Sequence, residues 1–128
     1  MNVYDLSPDA VARMIPVDLA AVDREPDSLI APFDFHGCRC GVASFVGQPP
    51  WELHSGGDEL LHVLAGETEL TVLADGAAEI RRLKAGDVAI VPQGLWHRNH
   101  AATGVTVLFM TPCDGGEHSW DDPRKRPQ

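Results

Sequence analysis

From residue 39 onward the apolar positions come in short runs of valine, leucine and isoleucine, each closed by a glycine, a proline or an Asp-Gly pair. Runs of this length between such breaks read as strands, since a helix of comparable burial needs about 10 residues or more. The pattern predicts strands over 40–46, 51–54, 59–64, 68–73, 78–83, 88–91 and 106–111, a set that suits an all-β sandwich or barrel. Asp75-Gly76 has the residue types of a tight hairpin turn, and Lys84-Ala85-Gly86-Asp87 those of another break. The run 68–73 (TELTVL) alternates only in part, so the pattern does not set its inward face. No repeat, heptad or low-complexity segment is present.

The first 35 residues differ. Ser7-Pro8-Asp9 reads as a helix start, with Ser7 as cap and Pro8 at the first helical position, and Pro16 limits that helix to about two turns. Residues 17–35 contain Pro26 and Pro32 and little periodicity, and are expected as extended chain lying across the domain or a neighbouring subunit. The chain accordingly divides into an N-terminal arm with a short helix (1–35), a sandwich or barrel of strands (36–113) and a C-terminal tail (114–128).

Composition narrows the classes of partner. A length of 128 residues is about one ordinary domain, and no apolar run approaches the roughly 18 residues that span a bilayer. The net charge of −9, from 19 acidic against 10 basic residues, opposes binding to a phosphate backbone or an anionic membrane surface, so neither nucleic acid nor membrane is an expected partner. The basic cluster Arg124-Lys125-Arg126 lies between prolines at the chain end and reads as a solvated terminus. Three cysteines cannot all pair within one chain, and the acidic N-terminal stretch interrupted by Pro8 does not read as a secretory signal, so a cytoplasmic protein with reduced thiols is expected.

The candidate chemistry lies in two segments. Within Trp51 to Leu64 (WELHSGGDELLHVL), Glu52 and His54 are two apart on a predicted strand and face the same way, and Glu59 follows a glycine turn. Gly86 to His97 (GDVAIVPQGLWH) then supplies His97 behind a Pro-x-Gly turn. Glu52, His54, Glu59 and His97 form a candidate four-ligand metal site, with nitrogen and oxygen donors suited to borderline or hard divalent ions. Asp58 reads as a turn residue. His62, three after Glu59, should face away from it. His36-Gly37-Cys38-Arg39-Cys40 lacks zinc-site or redox spacing and reads as a strand entrance, while Cys113 and His118 fall in a loop after the last predicted strand, where it could fold over the barrel mouth. Trp51 and Trp96, each one residue before a proposed ligand, could wall a cavity but read first as core packing, and Gly66, Gly86 and Gly94 read as backbone turns, with Pro92 helping to aim His97.

These residues carry a resemblance. Glu59-x6-Gly66, with His54 five residues before the glutamate, resembles the first motif of the cupin superfamily, and Gly86-x5-Pro92-x-Gly94-x2-His97 resembles its second; together they cover about residues 47 to 101. The resemblance implies a small single-domain cupin: a double-stranded β-helix, or jelly-roll barrel, with a metal or small-molecule cavity at its wider end and a tendency to pair as homodimers. It places His54, Glu59 and His97 on the family's second histidine, its glutamate and its late histidine. Glu52 occupies the place of the first histidine, and position 101 is alanine where an asparagine is often found.

A carboxylate in place of an imidazole adds negative charge and favours Mn, Fe(II) or Zn, whereas a site that has lost its metal would leave Glu52 as a general base or polar contact. Two functions follow from the resemblance: a metal-dependent enzyme (oxygenase, isomerase or lyase) acting on a small polar metabolite, or a non-catalytic cupin that binds or senses a small molecule, with or without metal. A weaker third reading is an accessory subunit of an enzyme encoded elsewhere.

Overall fold

The computed structural model describes residues 1–20 and 28–125. Ser7 caps a short helix, α1 (Pro8–Ala12): its Oγ accepts from the Ala10 N–H at 3.3 Å, and Pro8 begins the helix as expected. Among the described residues nine strands follow: β1 (Val17–Asp18), β2 (Ser28–Phe35), β3 (Cys38–Gly47), β4 (Trp51–His54), β5 (Glu59–Ala74), β6 (Ala77–Lys84), β7 (Val88–Val91), β8 (His97–Pro112) and β9 (Gly116–Ser119). None of the described helices is long and apolar enough to cross a membrane.

The all-β expectation holds, and β4 and β7 have the predicted bounds. Three features differ. The runs 59–64 and 68–73 belong to one continuous strand, β5, because the break at Gly66 is a bulge: the register with β8 shifts on both sides of Ala65-Gly66, and Gly66 has φ +74°. The run 106–111 is only the second half of β8, whose polar first half is held by pairing of His97–His100 with Glu69–Val72 of β5. Finally, part of the segment expected as a loop and tail forms β9, antiparallel to β4.

The arm is laid on the chain's own sheet where it is described: β1 runs parallel and β2 antiparallel to β3. Pro26 lies outside the described residues, as does Arg126 of the basic cluster. Two short hairpins use residues that tolerate positive φ. His36 and Gly37 (φ 49° and 75°) join β2 to β3, and Asp75 and Gly76 (φ 50° and 77°) join β5 to β6, the signature of turns whose twist matches the flanking strands.

Strand β8 pairs with β5 along one edge and with β3 and, at His97, β4 along the other, which curls the sheet into a barrel. Alternate residues of these strands turn inward. Ala43 and Phe45 of β3, Leu61, Val63 and Leu70 of β5, and Ala101, Val105 and Val107 of β8 meet in the buried core, joined by Leu83, Val91 and Leu19. Each such large apolar side chain removed from water contributes about 1.5–3 kcal/mol, so this inward face holds the barrel together. Toward one end of the barrel the same inward rows turn polar: Glu59 precedes Leu61, Thr111 follows Phe109, and Arg39 precedes Gly41 and Ala43. That end is a cavity.

Candidate metal centre

Two turns at the cavity end are tied together before any side chain reaches inward. The Gly94 N–H donates to the His54 carbonyl at 2.9 Å, Asp58 Oδ1 accepts from the Gln93 N–H at 2.8 Å, and Gln93 Nε2 donates to the Ser55 carbonyl. Asp58 is therefore a turn residue with a defined task, bracing the β4–β5 turn against the turn that leads into β8. The bracing sets the position of His54 at the end of β4 relative to His97 at the start of β8. Glu52 is the direct ladder partner of His97 on one side and of His118 on the other.

Glu52, His54, Glu59 and His97 each offer one nitrogen or oxygen, and these atoms all lie within 4.8 Å of one another. His97 Nε2 is 3.1 Å from Glu59 Oε1 and 3.8 Å from Glu52 Oε2; His54 Nε2 is 3.2 Å from Glu59 Oε2 and 3.4 Å from Glu52 Oε2. Ligands around one ion at bond lengths of about 2.1 Å are roughly 3 Å apart when adjacent and 4.2 Å apart when opposite, so this spread fits one central cation.

The hydrogen bonding supports the same fit. His97 Nδ1 lies 3.1 Å from the Leu95 carbonyl, which can only accept. That bond assigns the proton to Nδ1 and, in the neutral ring, turns the Nε2 lone pair toward Glu59. Both ring nitrogens of His54 are buried without a hydrogen-bond partner, because the two carboxylate oxygens near Nε2 do not align with it. Lone pairs and carboxylates that converge without donors between them need protons or a cation, and the residues fit a divalent ion.

Without an ion, protons have to serve. Burial draws His54 toward neutrality, but the negative carboxylates of Glu52 and Glu59 beside its Nε2 outweigh it and push its pKa up to about 9. Burial likewise raises Glu59, yet His54, His97 and the Thr111 hydroxyl, which donates to Oε2 at 2.6 Å, bring its pKa down to about 2. Glu59 is thus a fixed carboxylate, buried and held at both oxygens. Glu52 is looser: its side chain is 31% exposed, against 5% for Glu59.

The cluster opens into a cavity of about 350 Å³. Its apolar wall comes from Phe45, Leu61, Val107 and Phe109, and its polar rim includes Arg39, Asn99, Glu117 and His118. Of the other residues singled out from sequence, His62 pairs with Val88 and Leu108 and is absent from this lining, and Cys113 is exposed. Trp51 is buried outside the cavity, beneath the guanidinium groups of Arg98 and Arg124 at 5.3 and 5.8 Å. Arg124 also pairs with Asp122, two residues away, at 2.6 Å, and its side chain stays exposed. His118 reaches the cavity through the β9–β4 pairing and not through a loop. Arg39, within the segment read as a strand entrance, lines the cavity; its place two and four residues before Gly41 and Ala43 in the row that ends at Phe45 is the signal for it in the sequence.

The sequence profile of the cupin domain family matches residues 46–111, just over half of the chain. No curated protein matches. Among solved structures, protein NMB1881 from Neisseria meningitidis superposes with a TM-score of 0.61 at 19% identity, covering 87% of this chain and 99% of that one. An oxalate oxidase superposes at 0.55 with 21% identity, over 62% of this chain and 45% of that chain. Oxalate decarboxylase of Bacillus subtilis, described with Mn(II) centres, superposes at 0.54 with 18% identity, over 76% and 30% of the respective chains. At these identities the likeness is one of fold.

Proposed function

The chain belongs to the cupin domain family, and on that premise we propose that its cavity holds one divalent metal ion on Glu52, His54, Glu59 and His97 and acts on a small polar metabolite. The observation that carries this reading is the convergence of both histidine Nε2 atoms on the two carboxylates with no hydrogen-bond donor to satisfy His54. Two carboxylates and two imidazoles suit manganese, iron(II) or zinc. The Mn(II) centres described for the Bacillus subtilis decarboxylase make manganese the first ion to test.

When bound, such an ion supplies Lewis-acid polarisation of a substrate oxygen and, if redox-active, electron transfer. The chain's own residues divide the remaining work. Thr111 holds Glu59 by donating to its Oε2, and the Leu95 carbonyl fixes the tautomer of His97. Glu52, the more exposed carboxylate, is the base if it is not a ligand: released from the ion, it is the group placed to accept a substrate proton at a carboxylate oxygen. Phe45, Leu61 and Phe109 keep water from the inner wall. Oxygenase, isomerase and lyase chemistry all remain within this reading.

Protein purified without chelator is expected to carry close to one equivalent of a transition metal, and Glu52→Ala with His97→Ala to carry less than about a tenth. Metal analysis decides it: wild-type protein below that level, or the same content in the double variant, defeats the metal reading. Oxygen uptake by Fe(II)-loaded protein then separates oxygenase from redox-neutral chemistry.

The same proposal includes a cytoplasmic homodimer. Three free thiols, Cys38, Cys40 and Cys113, support a reducing compartment. Val88 and Ile90, two apart on β7 and both 55% exposed, present an apolar strip beside Leu60 and His62 that a second copy would cover. Mass measurement in solution should show a dimer, and a strictly monomeric species at micromolar concentration overturns this part.

A further inference from the structure

Arg39 stands on β3 with Asp34 and Thr111 as its ladder partners. Thr111 touches Glu59, and directly opposed residues of an antiparallel pair have Cβ atoms about 5 Å apart, so Arg39 rises one strand away from the four-residue cluster. Its side chain lines the same cavity. Among the described residues it pairs with no carboxylate. The ion pairs made by arginines there involve Arg81, Arg82 and Arg124, and neither Asp34 nor the cavity-lining Glu117 forms one with Arg39.

The other arginine of the cavity is committed elsewhere. Arg98 donates to Gln48 Oε1 and lies over the Trp51 ring. Arg39 is therefore an exposed guanidinium at the edge of the cavity, with no carboxylate among the described residues taking up its donors. A divalent ion on Glu52 and Glu59 would have its charge balanced by those two carboxylates, which leaves Arg39 as a cation able to receive an anionic group. Its planar fork matches a carboxylate with two parallel hydrogen bonds.

We propose that Arg39 is a specificity-determining residue that binds the carboxylate of a small organic acid, and that the cavity selects such acids over their neutral analogues. The position of the acid's other oxygen atoms, facing the cluster, rests on the metal reading above; the anion site at Arg39 does not.

The test uses acid and amide pairs of nearly equal shape, pyruvate with pyruvamide and lactate with lactamide, titrated by calorimetry into the full chain in metal-free and Mn(II)-loaded form. Each acid is expected to bind at least about tenfold more tightly than its amide, with a Kd below about 10 mM. Arg39→Gln should abolish that preference and Arg39→Lys retain part of it, since a lysine keeps the charge but not the fork. Because Arg39 is exposed and outside the cluster, Arg39→Gln should leave Mn(II) stoichiometry and melting temperature as in wild type. If Mn(II) fails to bind but the Arg39-dependent preference is present, the metal reading falls and the anion site stands. If acids and amides bind alike, if none of the four binds below that concentration, or if Arg39→Gln keeps the preference, the inference is overturned.

Discussion

Gly66→Ala is expected to lower the unfolding free energy by about 3 kcal/mol, with a fall in melting temperature of roughly 10 °C. Two costs combine at this position. With φ +74° the backbone is left-handed, which costs a residue with a Cβ about 1–2 kcal/mol. The added Cβ would also fall 2.2 Å from the Gly104 carbonyl oxygen and 3.2 Å from the Val105 Cα. These are backbone atoms of the paired strand β8 and cannot rotate aside, so β5 and β8 must separate where Gly66 pairs with Val105. Gly76→Ala isolates the first cost: φ is 77°, and nothing lies within 4 Å of its Cβ. Chemical denaturation of both variants should place Gly66→Ala well below Gly76→Ala, and equal losses would show that the close approach to β8 carries no weight.

That glycine also shows where sequence and structure part. The barrel is legible because inward apolar residues alternate with outward ones between turn residues, and Asp75-Gly76 supplies the two positive φ values of its hairpin. Gly66 reads as a strand break because a glycine that ends a strand and one that bulges it look alike in sequence; the register of β8 decides between them. The first half of β8 has few apolar residues to announce it, since its ladder bonds and His97, 2% exposed, hold it in place. Glu52, His54, Glu59 and His97 were legible as a group because spacing of two on a strand and the two family motifs are local. Arg39 and His118 were not, because each faces the cavity through a pairing with sequence-distant strands, Arg39 with Thr111 and His118 with Glu52.

Apparent metal affinity is expected to rise about tenfold per pH unit below pH 9, close to a hundredfold between pH 7 and pH 9, and then level off. The cause is one proton. In the metal-free protein the flanking carboxylates hold His54 charged up to a pKa of about 9, while a ligand imidazole has to be neutral, so an incoming ion must displace that proton. Glu59, with a pKa of about 2, is ionised throughout and adds no slope. The same proton has the opposite effect on the metal-free fold. His54 is raised from an ordinary 6.5, so its contribution is fully present below pH 6.5 and is lost as pH climbs through 9, amounting to at most about 3 kcal/mol. Chelator-treated protein should therefore melt at progressively lower temperature from pH 6.5 to 9 while its hold on Mn(II), followed by competition with a chromophoric chelator corrected for its own protonation, strengthens. His54→Asn should flatten both trends, because an amide has no proton to lose over that range. Affinity that is level between pH 7 and 9 in the wild-type protein would mean that His54 is already neutral before the ion arrives, and the charged cluster would have to be abandoned.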